Sequence, residues 1–254
     1  MNKFAKVLGV SVLSASILAA CGTEENTVST AGEDNGEQQE QEESQEQEQE
    51  EAAEASIDVK SENFGARKDS IDNVYAYYAA EITNTGDKPA RIGDVQVNIE
   101  GADETIIGTI SLVTSVPDVV MPGETAYLGE TTGLDSVTSA EDVTNASVNI
   151  DFDSTDEEPM MLETTDVQVN EANHYPYVVT GTVKNPNDET ADDVRLAAGL
   201  YDENDEFIGV LNGSIQVSLN PDGEAGFELN YPEIPESIQG EVVETNVKAY
   251  NWSI

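Results

Sequence analysis

Few side chains in this sequence could act as nucleophiles or as soft metal ligands. The chain has one cysteine, Cys21, and one histidine, His174. Cys21 closely follows the apolar stretch Val7–Ile17, and Lys3 and Lys6 precede that stretch. A short basic region, a short apolar core and small residues before a cleavage point are typical of a secretory signal. The only thiol therefore lies where an export signal ends, which argues against a catalytic cysteine.

The residues around this cysteine are more specific than the signal alone. Leu18-Ala19-Ala20-Cys21, followed by glycine, resembles the lipobox of bacterial lipoproteins. The resemblance implies that residues 1–20 are a signal peptide, that the Cys21 thiol carries a covalent diacylglycerol, and that the chain is cut before it. Two acyl chains give stable membrane anchoring where one does not. The expected location is the outer face of a cell membrane of the Gram-positive type, and no cofactor other than the covalent diacylglycerol is expected.

The remaining candidates for catalysis are weak. His174 precedes a predicted strand, without a G-x-S-x-G motif or an obvious serine partner, so we interpret it as a surface or edge residue. Met160-Met161 beside His174 could be a soft-metal site, but methionines packing between modules are the simpler interpretation. Carboxylates are so frequent that a glycosidase-like pair can be neither located nor excluded. We expect a protein that is not an enzyme.

Asp151, Asp153 and Asp156 begin an acidic cluster with the spacing of a calcium loop. The sixth position is Asp156, where an EF-hand needs glycine, and the twelfth is Leu162, where it needs glutamate. The cluster is therefore not an EF-hand. Weak binding of divalent cations by these three residues stays open, although a solvated run of charge explains them more simply.

The charge balance narrows the choice of partner. The chain has 52 Asp and Glu against 10 Lys and Arg, a formal net charge of -42. Such a field repels phosphate backbones and anionic head groups, which excludes nucleic acid and membrane docking through a basic face. The expected membrane contact is the lipid anchor, and a cell-wall or surface-protein partner stays open.

Two segments of different composition make up the chain from Cys21 onwards. Residues 21–56 are rich in Glu and Gln, lack Lys and Arg, and have too little apolar surface to fold, so they predict a disordered tether. Beyond them, Val95, Val97 and Ile99 alternate with polar residues, as half-buried strands do. Val148, Ile150 and Phe152 repeat this alternation. The sequence predicts an all-β fold.

The globular part also contains an internal repeat. Tyr75-Ala76-Tyr77 matches Tyr175-Pro176-Tyr177, and Ile82-Thr83-Asn84 matches Val183-Lys184-Asn185, with an offset of about 100 residues. This length suits a seven-stranded sandwich. We therefore predict two tandem immunoglobulin-like β-sandwich domains, residues 57–153 and 163–254, joined by a seam at 153–162.

The second of these modules contains the run Leu200-Tyr201-Asp202, with Ala198 two residues before it. This run resembles the LYD core of the FxLYD domain of bacterial surface proteins and lipoproteins, with Ala198 in the place of the leading phenylalanine. Downstream, Glu203-Asn204-Asp205 reads as a hairpin turn and Phe207-Ile208-Gly209 as the returning strand. The resemblance implies an immunoglobulin-like sandwich with an adhesive or structural role and no catalytic residues.

The motif residues are expected to serve the fold. The Tyr201 ring should pack while its hydroxyl meets a backbone group, and Asp202 should cap the turn. Trp252 is expected in the last strand, buried against the core. Tyr75 and Tyr77 should share one face of their strand and Tyr78 the other, with one face buried and one exposed. The leading hypothesis is a surface-displayed binding, adhesion or spacer protein; the alternative is a cation-responsive accessory lipoprotein.

Overall fold

The computed structural model describes residues 53–111, 113–172 and 175–253. All described residues belong to one compact unit, Glu50–Ile254. The predicted signal peptide, the lipobox Leu18-Ala19-Ala20-Cys21 and most of the tether lie outside the described residues, as does His174. The predictions made for them stay predictions.

The described chain is built from antiparallel strands and contains no α-helix, which confirms the all-β prediction. The strands of the first half are β1 (Ile57–Lys68), β2 (Val74–Asn84), β3 (Ala90–Glu100), β4 (Ile106–Ile110), β5 (Ser115–Val116), β6 (Val119–Val120), β7 (Thr125–Gly133) and β8 (Asn145–Ser154). Those of the second half are β9 (Met160–Ala172), β10 (Tyr175–Lys184), β11 (Val194–Tyr201), β12 (Phe207–Ile215), β13 (Glu224–Leu229) and β14 (Glu244–Asn251). Three 3-10 turns occur at Ala102–Glu104, Ala140–Asp142 and Glu236–Ile238.

The first half consists of two sheets. One has the order β1-β2-β7-β5, and the other has β3 at its centre, paired with β8 on one edge and with β4 and β6 on the other. Tyr78 and Ile82 of β2 meet Val95, Val97 and Ile99 of β3 in a fully buried core between the sheets. The alternation predicted for β3 is therefore confirmed.

The second half repeats this pairing. Its strands β9, β10 and β13 pair as β1, β2 and β7 do, and β12, β11 and β14 pair as β4, β3 and β8 do. The two groups form one six-stranded sheet because β9 pairs with β14 through Met160–Leu162 and with β10 over the rest of its length. The bridge between Ala90 and Val120 recurs between Ala191 and Leu219.

Two buried asparagines show the repeat at atomic detail. The Asn84 amide donates to the carbonyls of Lys88 and Val120 at 2.7 and 2.8 Å. The Asn185 amide donates to the carbonyls of Glu189 and Leu219 at the same two distances. In each case the side-chain oxygen accepts the backbone N–H two residues on at 3.0 Å. Each asparagine thus closes the turn after its strand and satisfies carbonyls that would otherwise be buried without a donor.

Strand β2 is buried on both faces. Tyr78, Ala80 and Ile82 fill the core of the first half, whereas Tyr77 and Ala79 belong to the core of the second half. The prediction that one face of this strand is exposed was therefore wrong. The reason is a neighbour that the sequence does not reveal: the sheet containing β2 packs against β11 and β12 of the second half.

Tyr77 and Tyr177, which are aligned in the sequence repeat, do not occupy equivalent positions in the structure. Tyr177 lies on the same face of β10 as the core residues Val179 and Val183, so it points into its own half. Tyr77 points out of its own half towards the other. A shift of one residue in a strand exchanges its faces, so the two aligned tyrosines have different environments.

The seam between the halves is shorter than predicted. Strand β8 continues to Ser154 and β9 starts at Met160, so only residues 155–159 separate the two strands. Met160 is half-buried against the core of the second half, but Met161 is 37% exposed. The prediction that both methionines pack between the modules was therefore wrong for Met161.

Candidate functional site

The LYD residues lie at the end of β11 and in the turn that follows. Leu200 is fully buried in the core, and the Tyr201 ring packs on Phe207 with centroids 5.7 Å apart. One Asp202 carboxylate oxygen accepts the backbone N–H groups of Asn204 and Glu206 at 2.8 and 2.9 Å. These bonds lower the pKa of Asp202. The predicted cap is confirmed, and the motif serves the fold.

The Tyr201 hydroxyl has a different partner from the one expected. It lies 2.9 Å from the Tyr127 hydroxyl, which comes from the first half, and no backbone group takes that place. Burial raises the pKa of Tyr127 to about 12 and also raises the pKa of Tyr201. Both hydroxyls therefore stay protonated and can share a hydrogen bond inside the protein.

Further polar contacts hold the halves together around this pair. The Tyr77 hydroxyl accepts from the Val210 backbone N–H at 2.9 Å and lies 3.3 Å from the Val210 carbonyl. The Asn212 amide donates to the Gly129 carbonyl at 2.6 Å, and the Asn63 amide donates to the Ile208 carbonyl at 3.1 Å. Side chains of one half thus satisfy backbone groups of the other.

Two glycines permit this close approach. A Cβ atom on Gly199 of β11 would lie 2.6 Å from the Tyr127 ring. A Cβ atom on Gly209 of β12 would lie 2.3 Å from the Tyr77 hydroxyl. Distances this short between a Cβ atom and a tyrosine exclude any side chain at these two positions. Glycine at both positions therefore allows the two tyrosines to pack against the second half.

A charged cluster borders the same interface. Glu81 of β2 is 4% exposed, and one of its carboxylate oxygens accepts from the Lys60 ammonium at 3.1 Å. The Lys248 ammonium lies 5.9 Å from the centre of the Tyr127 ring, and burial lowers the pKa of Lys248. Sequence analysis did not single out these residues, because they come together only through the stacking of the two halves.

The acidic residues proposed as a weak cation site do not converge. Asp151 and Asp153 are exposed on the same face of β8, and Asp156 in the seam pairs with Lys88 at 3.3 Å. In the part of the chain that the structure describes, no three His, Cys, Asp or Glu residues are arranged to hold a metal ion. Cation binding by Asp151, Asp153 and Asp156 stays a prediction without a visible site.

A cleft with a volume of about 890 Å³ is lined by residues of both halves. We name it the Tyr175 cleft; it is lined by Ala66, Arg67, Lys68, Ala140, Tyr175, Pro176, Tyr177, Glu233, Ile234, Glu236, Ser237, Gln239 and Gly240. Arg67 lies over the Tyr75 ring at 4.8 Å and pairs with Glu233 at 3.2 Å. The Tyr175 ring is 40% exposed. The cleft therefore offers an exposed ring beside polar groups of both signs.

A smaller cleft of about 430 Å³ also has walls from both halves. We name it the Trp252 cleft; it is lined by Arg91, Ile92, Gly93, Val113, Thr114, Ser115, Asp118, Trp252 and Ser253. Trp252 was expected in the last strand and buried against the core. Strand β14 ends at Asn251 instead, and Trp252 is half-buried: it packs against the core of the second half and also lines the cleft. The lining residues of either cleft are far apart in sequence, so no local pattern could have predicted them.

Comparison with known proteins gives no further assignment. A scan against protein-family models found no match, and a search of curated proteins found none either. The resemblance to the FxLYD domain therefore stays a prediction. No helix long and apolar enough to cross a membrane occurs among the described residues.

Proposed function

We propose that this protein is a lipid-anchored extracytoplasmic lipoprotein that displays a rigid, non-catalytic β platform for binding, adhesion or structural spacing. The observation that carries the proposal is the core shared by the two halves, in which Tyr77 and Tyr127 of the first half pack among residues of the second. A shared core fixes the angle between the halves, whereas modules on a flexible linker move independently. A platform of this kind keeps a cleft between the halves in one shape.

The anchoring part of the proposal comes from the sequence. The lipobox-like run ending at Cys21 supplies a thiol for diacylglycerol, and the acidic residues 21–56 supply a spacer between membrane and platform. In this proposal the platform consists of two immunoglobulin-like modules in tandem, the second of FxLYD type. The recurrence of strand pairing and of the asparagine turns supports that duplication.

The Tyr175 cleft is the preferred place for a wall or surface-protein ligand. Preformed clefts of about 300–1,000 Å³ with an aromatic wall and a few fixed polar groups are typical ligand sites. Arg67 is held between Tyr75 and Glu233, so the polar wall is in place before a ligand arrives. Pre-organised groups lose less entropy on binding.

Two experiments test the proposal. Mass spectrometry of the protein from native membranes should show a diacylglyceryl group on Cys21, and Cys21→Ser should release the protein from the membrane fraction. An unmodified Cys21 in native material would contradict the anchor. Separately, the full chain should retain a partner from wall fractions, and Tyr175→Ala should weaken that retention while Tyr231→Ala, which removes a tyrosine of similar exposure outside the cleft, should not.

A further inference from the structure

Trp252 is held rigidly at the edge of the smaller cleft. Its backbone N–H donates to the Asp193 carbonyl at 2.8 Å, and the Arg195 guanidinium lies 4.9 Å from the centre of its ring. Arg195 is itself fixed by two bonds to the Asp193 carboxylate, at 2.7 and 2.9 Å. The indole ring is therefore positioned by its own backbone and by a clamped side chain.

The opposite wall comes from the first half and is polar. Arg91 pairs with Asp118 at 3.3 Å and with Glu157 at 2.5 Å. Thr114 is exposed in the cleft, whereas Ile92 and Val113 are buried at its base. One wall thus presents an aromatic ring and the other presents a hydroxyl, a guanidinium and a carboxylate.

The charges of this cleft disfavour an anionic ligand. Arg91 already pairs with two carboxylates, so the cleft has no spare cation to attract a phosphate or a carboxylate. One guanidinium against two carboxylates leaves a net negative charge beside the cleft, which repels anions and does not repel uncharged polar groups. The net charge of -42 opposes the approach of anions in general.

We propose that the Trp252 cleft binds a neutral carbohydrate, with a sugar ring against the indole and its hydroxyls bonded to Thr114, Arg91 and Asp118. A sugar ring combines an apolar C–H face with a polar edge, and the two walls offer a matching pair of surfaces. A volume of about 430 Å³ lies at the lower end of the range for small-molecule sites and suits a short oligosaccharide. The inference concerns a cleft separate from the Tyr175 cleft and does not depend on the lipid anchor.

The test uses the fact that Trp252 is the only tryptophan in the chain, so its fluorescence reports on this cleft alone. The full chain, in a detergent without sugar groups, is titrated with chitotriose, cellotriose and maltotriose. At least one of these should change the emission saturably, with a Kd between about 1 µM and about 1 mM. The anionic trimer of galacturonic acid should bind at least about tenfold more weakly than the best neutral sugar.

Variants separate binding from folding. Thr114→Val keeps the shape of an exposed residue and should weaken binding about fivefold, the effect of one lost hydrogen bond. Tyr175→Ala, in the other cleft, should leave the titration unchanged. The proposal is overturned if none of the three neutral sugars gives a saturable change, if the anionic trimer binds as well as they do, or if Thr114→Val has no effect on a sugar that binds.

Discussion

The hydroxyl groups of Tyr127 and Tyr201 lie 2.9 Å apart inside the protein, and each comes from a different half of the chain. Each hydroxyl is the other's partner, which avoids the cost of burying an unpaired polar group. The contact requires both halves in register, because neither tyrosine can satisfy the other from a separated module. The relationship between the halves is therefore specified by polar geometry as well as by apolar packing.

Gly199→Ala should destabilise the protein by about 1–3 kcal/mol, because the new methyl group overlaps the Tyr127 ring. Urea unfolding followed by circular dichroism measures the loss. Gly133→Ala is the matched control, since its methyl group would come no closer than 3.8 Å to the Tyr75 ring. If both variants are equally stable, the close packing of Tyr127 on β11 is not a constraint.

Tyr77→Phe should cost about 1–3 kcal/mol, because it leaves the buried Val210 N–H without its acceptor. The ring remains, so the loss reports on the hydrogen bond and not on a cavity. Tyr175→Phe, which removes a hydroxyl from an exposed ring, should change the free energy of unfolding by less than about 0.5 kcal/mol. Equal effects of the two changes would contradict the role given to the Tyr77 hydroxyl.

Asn84→Ala and Asn185→Ala should each cost about 2–4 kcal/mol, since each removes an amide that serves two carbonyls and two N–H groups. The two patterns share both carbonyls and the N–H two residues on, and differ only in the second N–H, which comes from the Ser56 backbone or from the Asn187 side chain. The two losses should therefore agree within about 1 kcal/mol. Asn149→Ala on the exposed face of β8 is the control and should be near neutral. A large difference between Asn84 and Asn185 would show that the repeat is not equivalent in energy.

Stability should fall in alkaline solution as the buried tyrosines ionise. Burial raises the pKa of Tyr127 from 10.0 to about 12, so the folded state keeps a proton that the unfolded chain loses. The contribution of Tyr127 is thus fully present below pH 10 and is lost as the pH rises towards 12. Midpoints of urea unfolding measured across this window should decline, and Tyr127→Phe should show a shallower decline. A midpoint independent of pH in this window would refute the argument.

Millimolar calcium should not raise the thermal midpoint beyond the effect of sodium chloride at equal ionic strength. Asp151 and Asp153 offer two exposed carboxylates on one strand face, whereas calcium takes six to eight oxygen ligands, and no group of three acidic residues among the described residues is arranged to hold a metal ion. Asp156 already pairs with Lys88. A calcium-specific rise that Asp153→Asn abolishes would instead support the cation-responsive alternative.

Much of the fold could be predicted from the sequence because it depends on local patterns. Alternation in Val95, Val97 and Ile99 identified a strand with one buried face, and the turn after Leu200-Tyr201 was placed from Asp202 onwards. Asn84 and Asn185 marked the ends of equivalent strands. Each of these features is decided by residues close in sequence or by a simple period of two.

The contacts between the halves could not be predicted in the same way. The sequence of β2 does not indicate that Tyr77 is covered by β12. The sequence around Gly199 likewise does not indicate that the Tyr127 ring packs against this glycine. Both clefts arise from this stacking. Trp252 follows the last strand instead of lying in it, and it both packs against the core and lines a cleft, a combination that its local sequence does not indicate.

The way the chain enters the fold bears on how the platform responds to force. Glu54 and Ser56 accept backbone bonds from Asp87 and Thr85 at 2.9 and 2.7 Å, just ahead of β1. The Ala55 and Ser56 N–H groups also donate to the Ser154 hydroxyl and to the Asn84 side-chain oxygen, at 2.8 and 3.3 Å. A pull on the preceding chain, from flow or from a moving cell, must break these four bonds before it loads β1. These bonds would break first, so a small force would be absorbed at the edge of the fold. The cleft between the halves would then keep its shape.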